Sequence, residues 1–218
     1  MALRPDQVAW ALTYYVVLLF SLSVHESAHG WMALQMGDDT AARQGRITLN
    51  PLSHIDPFGT VLIPLLQVLL TSQRIPLLGW AKPTPVGAHN FRKLARGHVL
   101  VAAAGPVSNL VLASLFTAGL FVGLRSGARA SEPVMALLTT GIQMNVVLAL
   151  FNLVPLPPLD GSWVASWGLP RAFSAPYERL VEPYGQWILL VLFATGALSW
   201  ALAPFTRALY TFLFRLAL

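Results

Sequence analysis

The chain has 218 residues, of which 56% are hydrophobic and 11% charged, with a mean hydropathy of +0.62, a balance that excludes an ordinary soluble domain and makes lipid the solvent. Fourteen Lys and Arg stand against nine Asp and Glu, but the cations sit in loops between apolar stretches, without basic runs or interleaved aromatics, which favours membrane orientation over nucleic-acid binding. Cysteine is absent, so disulfides, thiolate ligands and a cysteine nucleophile are excluded together, and any metal must be held by histidine and carboxylate.

Four stretches are apolar and long enough to cross a hydrocarbon core of roughly 30 Å as helices: 7–24, 99–124, 133–154 and 183–206. A fifth, 57–73, is marginal. The first run continues past a polar break, which predicts one helix over 6–37; it ends in polar chemistry with no small-residue cleavage site and is expected to stay in the protein. The polar stretch 38–57 includes the alternating Arg46-Ile47-Thr48-Leu49-Asn50, read as a short strand. Pro57, Gly59 and Pro64 punctuate the next segment, and a Gly- and Pro-rich loop leads to Arg92, Lys93 and Arg96 and a helix over 97–124. A helix over 133–154 is stopped by Pro155, Pro157 and Pro158 just before Asp160-Gly161, and C-terminal helices fill 176–218. The expected fold is an all-α polytopic membrane protein in one domain, 1–218. It is a bundle of four to six transmembrane helices with a small β-strand and re-entrant region over 38–90.

The break in the first helix is His25-Glu26-Ser27-Ala28-His29. Four residues make about 400° of helical turn, so both imidazoles face one side at a spacing suited to one metal ion, with Glu26 beside them to take a proton from a water the metal polarises. An ionisable side chain at bilayer depth costs roughly 2.5 to 3.5 kcal/mol, so three within five residues require a partner. A zinc ion supplies one. A catalytic zinc wants a third protein ligand and an open position; His54, Asp56 and Asp160 are candidates. Asp160, in a proline-stiffened turn after a long apolar helix, is the strongest. A proton-relay transporter or a non-proteolytic membrane metalloprotein would share the motif, but a transporter should carry further ionisable groups in its other spans, and these carry almost none.

The motif, Ala104-Gly105-Pro106-Val107-Ser108-Asn109 in a later helix, and Asn152-Leu153-Val154-Pro155-Leu156-Pro157-Pro158-Leu159-Asp160-Gly161 after the next together resemble the site-2 protease family of intramembrane zinc metalloproteases. The resemblance covers 25–161 in the family's order, with no inserted PDZ or appended CBS domain, as in minimal members. It implies one catalytic zinc bound by His25, His29 and Asp160, Glu26 as general base, Asn152 as a substrate contact, and a transmembrane protein as substrate. His54 and Asp56 are candidates for groups supporting the site from behind. The run from about Arg43 to Asn50 is a candidate edge strand for an unwound substrate.

For His29 and Asp160 to share an ion, an even number of crossings must separate them. Two are supplied by 99–124 and 133–154, so 57–73 is expected to dip into the bilayer and return. Nine cations then fall on the metal side (Arg43, Arg46, Arg74, Lys82, Arg92, Lys93, Arg96, Arg171, Arg179), against Arg4, Arg125 and Arg129 opposite. The positive-inside rule puts the site toward the cytoplasmic face of the cell membrane.

Overall fold

A computed structural model of the chain describes residues 4–70, 79–125 and 131–218; Arg74 and Arg129 of the charge count, and the end of the 57–73 segment, lie outside them. The described residues are mostly helical and contain no strand. Helix α1 runs Pro5–Met36, α2 Thr40–Arg43, α3 Ile63–Leu70, α4 Leu94–Arg125, α5 Glu132–Asn152, α6 Asp160–Gly168, α7 Arg171–Leu180, α8 Gly185–Ala194 and α9 Ala197–Ala217.

Among the described residues three helices, α1, α4 and α5, are long and apolar enough to span a membrane, and the pair formed by Arg171–Ala194 and α9, bent by 78°, makes a fourth if taken as one span. The expected four to six spans are therefore reduced to three or four. Two sequence features account for the difference. The apolar stretch opened by Pro57 forms a six-residue π-helix, Pro57–Leu62, followed by α3, and Pro57–Leu69 is about 20 Å long at 1.5 Å per residue, short of the hydrocarbon core. The 183–206 stretch is divided at Gly196, whose φ of 74° lies in the left-handed region that glycine enters without a Cβ penalty.

The expected strand at 46–50 is also absent, because side chains take the backbone groups a ladder would need. The Thr48 carbonyl accepts from the Ser27 hydroxyl and from His54 Nε2 at 2.8 Å, Asn50 N donates to Thr48 Oγ1, and the Asn50 side chain accepts from Leu52 N. Local side-chain bonds of this kind compete with strand pairing.

Helix α4 lies at the centre, against α1, α5, α6 and α9. One apolar cluster joins α4, α5 and α9 through Ala113, Leu120, Ile142, Val146 and Leu213; a second packs Val17, Leu18 and Leu22 of α1 on Met144 of α5 and Ala81. Large apolar side chains such as Leu12, Leu115, Val122, Trp187 and Trp200 point outward, as a surface solvated by lipid allows.

Candidate metal centre

His25 and His29 lie on the face of α1 turned to α4. Their Nε2 atoms are 3.0 Å apart, and Asp160 Oδ2 lies 3.2 Å from the first and 3.4 Å from the second. Three elements create this convergence. The i, i+4 spacing stacks the imidazoles one turn apart. Gly105 of α4 abuts both rings, and a Cβ there would collide with each of them. Asp160 is the first residue of α6, whose N-terminal end favours a carboxylate, and Gly161 lets α6 begin hard against the Leu153 and Val154 carbonyls at the end of α5, where no Cβ fits.

Hydrogen bonds fix the protons. His29 Nδ1 lies 2.7 Å from the Val101 carbonyl, which can only accept, so Nδ1 carries the proton and Nε2 presents a lone pair. His25 Nδ1 lies 2.7 Å from Asn109 Oδ1 and is held in the same way. Two lone pairs and a carboxylate oxygen thus face one another, and Asp160 Oδ2 is buried without a hydrogen-bond donor. Such a set repels itself unless a cation lies between its members. Bonds of about 2.0 to 2.2 Å arranged tetrahedrally set ligand atoms about 3.3 Å apart, matching the spacings here, and the donor set of two imidazoles and one carboxylate suits zinc. His25, His29 and Asp160 are the one such cluster among the described residues.

Beside the cluster opens a cleft of about 580 Å³, lined among others by Glu26, Thr84, His98, Asn152 and Trp163. One wall is the extended run Gly79–Gly87. Its alternate amides are fastened in sequence: Trp80 N to Gly59 O at 3.3 Å, Lys82 N to His54 O at 2.9 Å, and Thr84 N to Glu26 Oε2 at 2.7 Å. Pro83, between the last two, and Pro85, after them, have no amide to leave unpaired. On the opposite wall His98 of α4 stacks on Trp163 and Trp167 of α6, with ring centroids 5.2 and 4.4 Å away, and meets the edge of Phe91. This stacking holds the helix that carries Asp160.

The remaining sequence-predicted residues fall in different places. Asn152 lines the cleft, with Nδ2 donating to Leu148 O at 3.0 Å. His54 and Asp56 are not among the lining residues. His54 joins the 48–54 loop to the extended run through its ring and its carbonyl, and Asp56 Oδ1 caps the π-helix by accepting from Phe58 N and Gly59 N. The structure adds Asn109, Asn145, Thr84 and His98 to the residues that shape the site. The two asparagines had a signal, since amides inside apolar spans demand partners; Thr84 had none, because its contribution is a backbone amide.

Similar proteins carry the same chemistry in their names. The chain is 42% identical over 201 residues to Putative zinc metalloprotease YwhC of Bacillus subtilis (strain 168), covering 88% of this chain and 85% of that protein. It is 33% identical to Putative zinc metalloprotease Rip2 of Mycolicibacterium smegmatis, covering 83% and 66%, and 30% identical to the Rip2 of Mycobacterium tuberculosis (strain H37Rv), covering 88% and 71%. The chain belongs to this zinc metalloprotease family. No family model and no solved structure matches it. In this zinc metalloprotease family the His25, His29 and Asp160 atoms lie close enough together to hold one metal ion, with Glu26 the residue after His25 on the same helix.

Proposed function

We propose that the chain is an intramembrane metalloendopeptidase of the site-2 protease type, which hydrolyses peptide bonds within or beside transmembrane segments of membrane proteins. The observation that carries this reading is the depth of the zinc ligands: His25 lies 11 residues, or roughly 16 Å, from the C-terminal end of α1, buried between two helices long and apolar enough to span. A site so placed is reached most directly by a chain that is itself in the membrane.

Zinc bound there supplies a Lewis acid that polarises a scissile carbonyl and acidifies a water. The chain's own residues do the rest. Glu26 takes a proton from that water and returns it to the leaving amine; the Thr84 amide holds Oε2, so Oε1 is the atom that exchanges the proton. Asn152, at the cleft wall, offers its remaining amide hydrogen and Oδ1 to the substrate backbone. A substrate helix must unwind locally before its carbonyls can reach the cluster. The cation count in the sequence supports a cleft that faces the cytoplasmic side of the cell membrane.

The test is cleavage of a panel of single-pass membrane peptides by the purified full chain in detergent, with Glu26→Gln and chelator-treated chain alongside. Cuts within or next to the apolar segments, lost in both controls, are expected. Cleavage of soluble peptides alone, or none by zinc-loaded chain, overturns the proposal.

A further inference from the structure

Three polar side chains with no exposed surface, Ser21, Asn109 and Asn145, stand in the middle of three apolar helices, where an amide without partners is costly. They are joined in one line. His25 Nδ1 meets Asn109 Oδ1 at 2.7 Å, Asn109 Nδ2 donates to Asn145 Oδ1 at 2.8 Å, and Asn145 Nδ2 donates to Ser21 Oγ and to the Gly141 carbonyl, each at 2.9 Å.

The direction of this line is set at its far end. A backbone carbonyl only accepts, so the Gly141 contact decides which atom of the Asn145 amide is nitrogen. Asn145 Oδ1 must then face Asn109, Asn109 must turn its Nδ2 toward Asn145 and its Oδ1 toward His25, and His25 must carry its proton on Nδ1. Only that tautomer leaves the Nε2 lone pair for the metal. Groups that orient a metal-bound histidine usually touch it directly; here the orientation is decided two residues further away, across α4 and on α5.

We propose that Asn145, anchored by Ser21 and the Gly141 carbonyl, is a positioning residue for zinc: it sets the tautomer and ring orientation of His25 through Asn109, although it neither touches the metal cluster nor lines the cleft. The inference rests on the zinc site and is independent of the substrate assignment, because its readout is metal affinity.

The experiment is zinc binding to the purified full chain in detergent, measured by competition with a chromophoric chelator, with visible absorption of the cobalt-substituted chain as a second readout. Asn145→Leu keeps bulk but removes the acceptor, freeing the Asn109 amide to turn; the zinc dissociation constant is expected to rise about tenfold, with altered cobalt bands. Asn145→Asp, neutral in this buried apolar setting, keeps an acceptor toward Asn109, turns its hydroxyl proton to the Gly141 carbonyl and is expected to bind zinc close to the parent value. Thr117→Val removes another buried α4 hydroxyl, one bonded only within its own helix to Ala113 O, and should leave affinity unchanged. Parent-like affinity in Asn145→Leu, or equal losses in Asn145→Leu and Asn145→Asp, overturns the proposal. If the leucine variant does not fold, nitrogen NMR of histidine-labelled, metal-free parent chain decides: a neutral His25 ring with its proton on Nδ1 supports the proposal, and one with its proton on Nε2 refutes it.

Discussion

The backbone amide of Thr84 donates to Glu26 Oε2 at 2.7 Å while the Thr84 hydroxyl donates to the Glu26 carbonyl at 2.9 Å. Residues 58 apart in sequence are thus joined twice, once at the side chain and once at the main chain of the metal-binding helix. The wall of the cleft and the Glu26 side chain are held as one unit.

Thr84→Val tests that union. It keeps the amide and loses the hydroxyl bond, worth about 1 kcal/mol, so turnover of a membrane peptide should fall about fivefold with zinc content unchanged. A variant as fast as the parent shows that the hydroxyl has no part in placing Glu26.

Glu26→Gln removes the proton acceptor while leaving both imidazoles and Asp160 in place. Cleavage should fall by roughly 10² to 10⁴, and metal analysis should still find one zinc per chain. Undiminished cleavage would falsify the role given to Glu26.

Gly105→Ala places a methyl group where His25 and His29 approach α4. The rings must turn away, and zinc affinity should drop by more than about tenfold, read as metal lost on dialysis against a weak chelator. An equimolar zinc content after dialysis contradicts the close packing.

His98→Ala takes the ring from between α4 and the two tryptophans of α6. Aromatic pairs are worth about 0.5 to 1.5 kcal/mol each, so the thermal midpoint in detergent should fall, and zinc affinity with it as Asp160 loosens. His98→Phe restores the stack and should restore both; a phenylalanine variant as weak as the alanine one assigns His98 a different role.

Asp38 predicts an acid dependence. Its carboxylate has no exposed surface. Burial works to raise its pKa, but hydrogen bonds from the Thr40 hydroxyl, the Asn90 side chain and the Gly87 and Thr40 amides outweigh it and hold the group below the ordinary carboxylate value. A lowered folded-state pKa stabilises above the unfolded value near 3.9, and that stabilisation is lost as pH falls through the folded one. Asp38→Asn, which sets an amide against those donors, should destabilise by about 1 to 3 kcal/mol at pH 7, and the gap from the parent should narrow below about pH 4. A gap that stays constant into acid excludes this role.

Much of the fold and of the metal site was legible in sequence because membrane burial leaves strong local marks. The apolar runs become α1, α4 and α5 within a few residues of their expected ends, and His25, Glu26 and His29 share a helix face by period alone. Position next to the apolar segments also limited the third ligand to a few candidates, of which Asp160 meets the imidazoles. The strand at 46–50 misled because its alternation is real, but the Ser27, His54 and Thr48 side chains consume backbone groups it needed. The C-terminal stretch misled because composition does not register a bend at Gly196.

The sequence by itself determined the solvent, the metal chemistry and the helix that presents it, since these depend on residue type and on periodicity along one element. Tertiary structure alone decided which groups complete the site: the Thr84 amide, the Val101 carbonyl, the Asn109 and Asn145 line and the His98 stack all act across elements distant in sequence. A hydrogen bond between helices depends on rotation and depth, which no local pattern encodes.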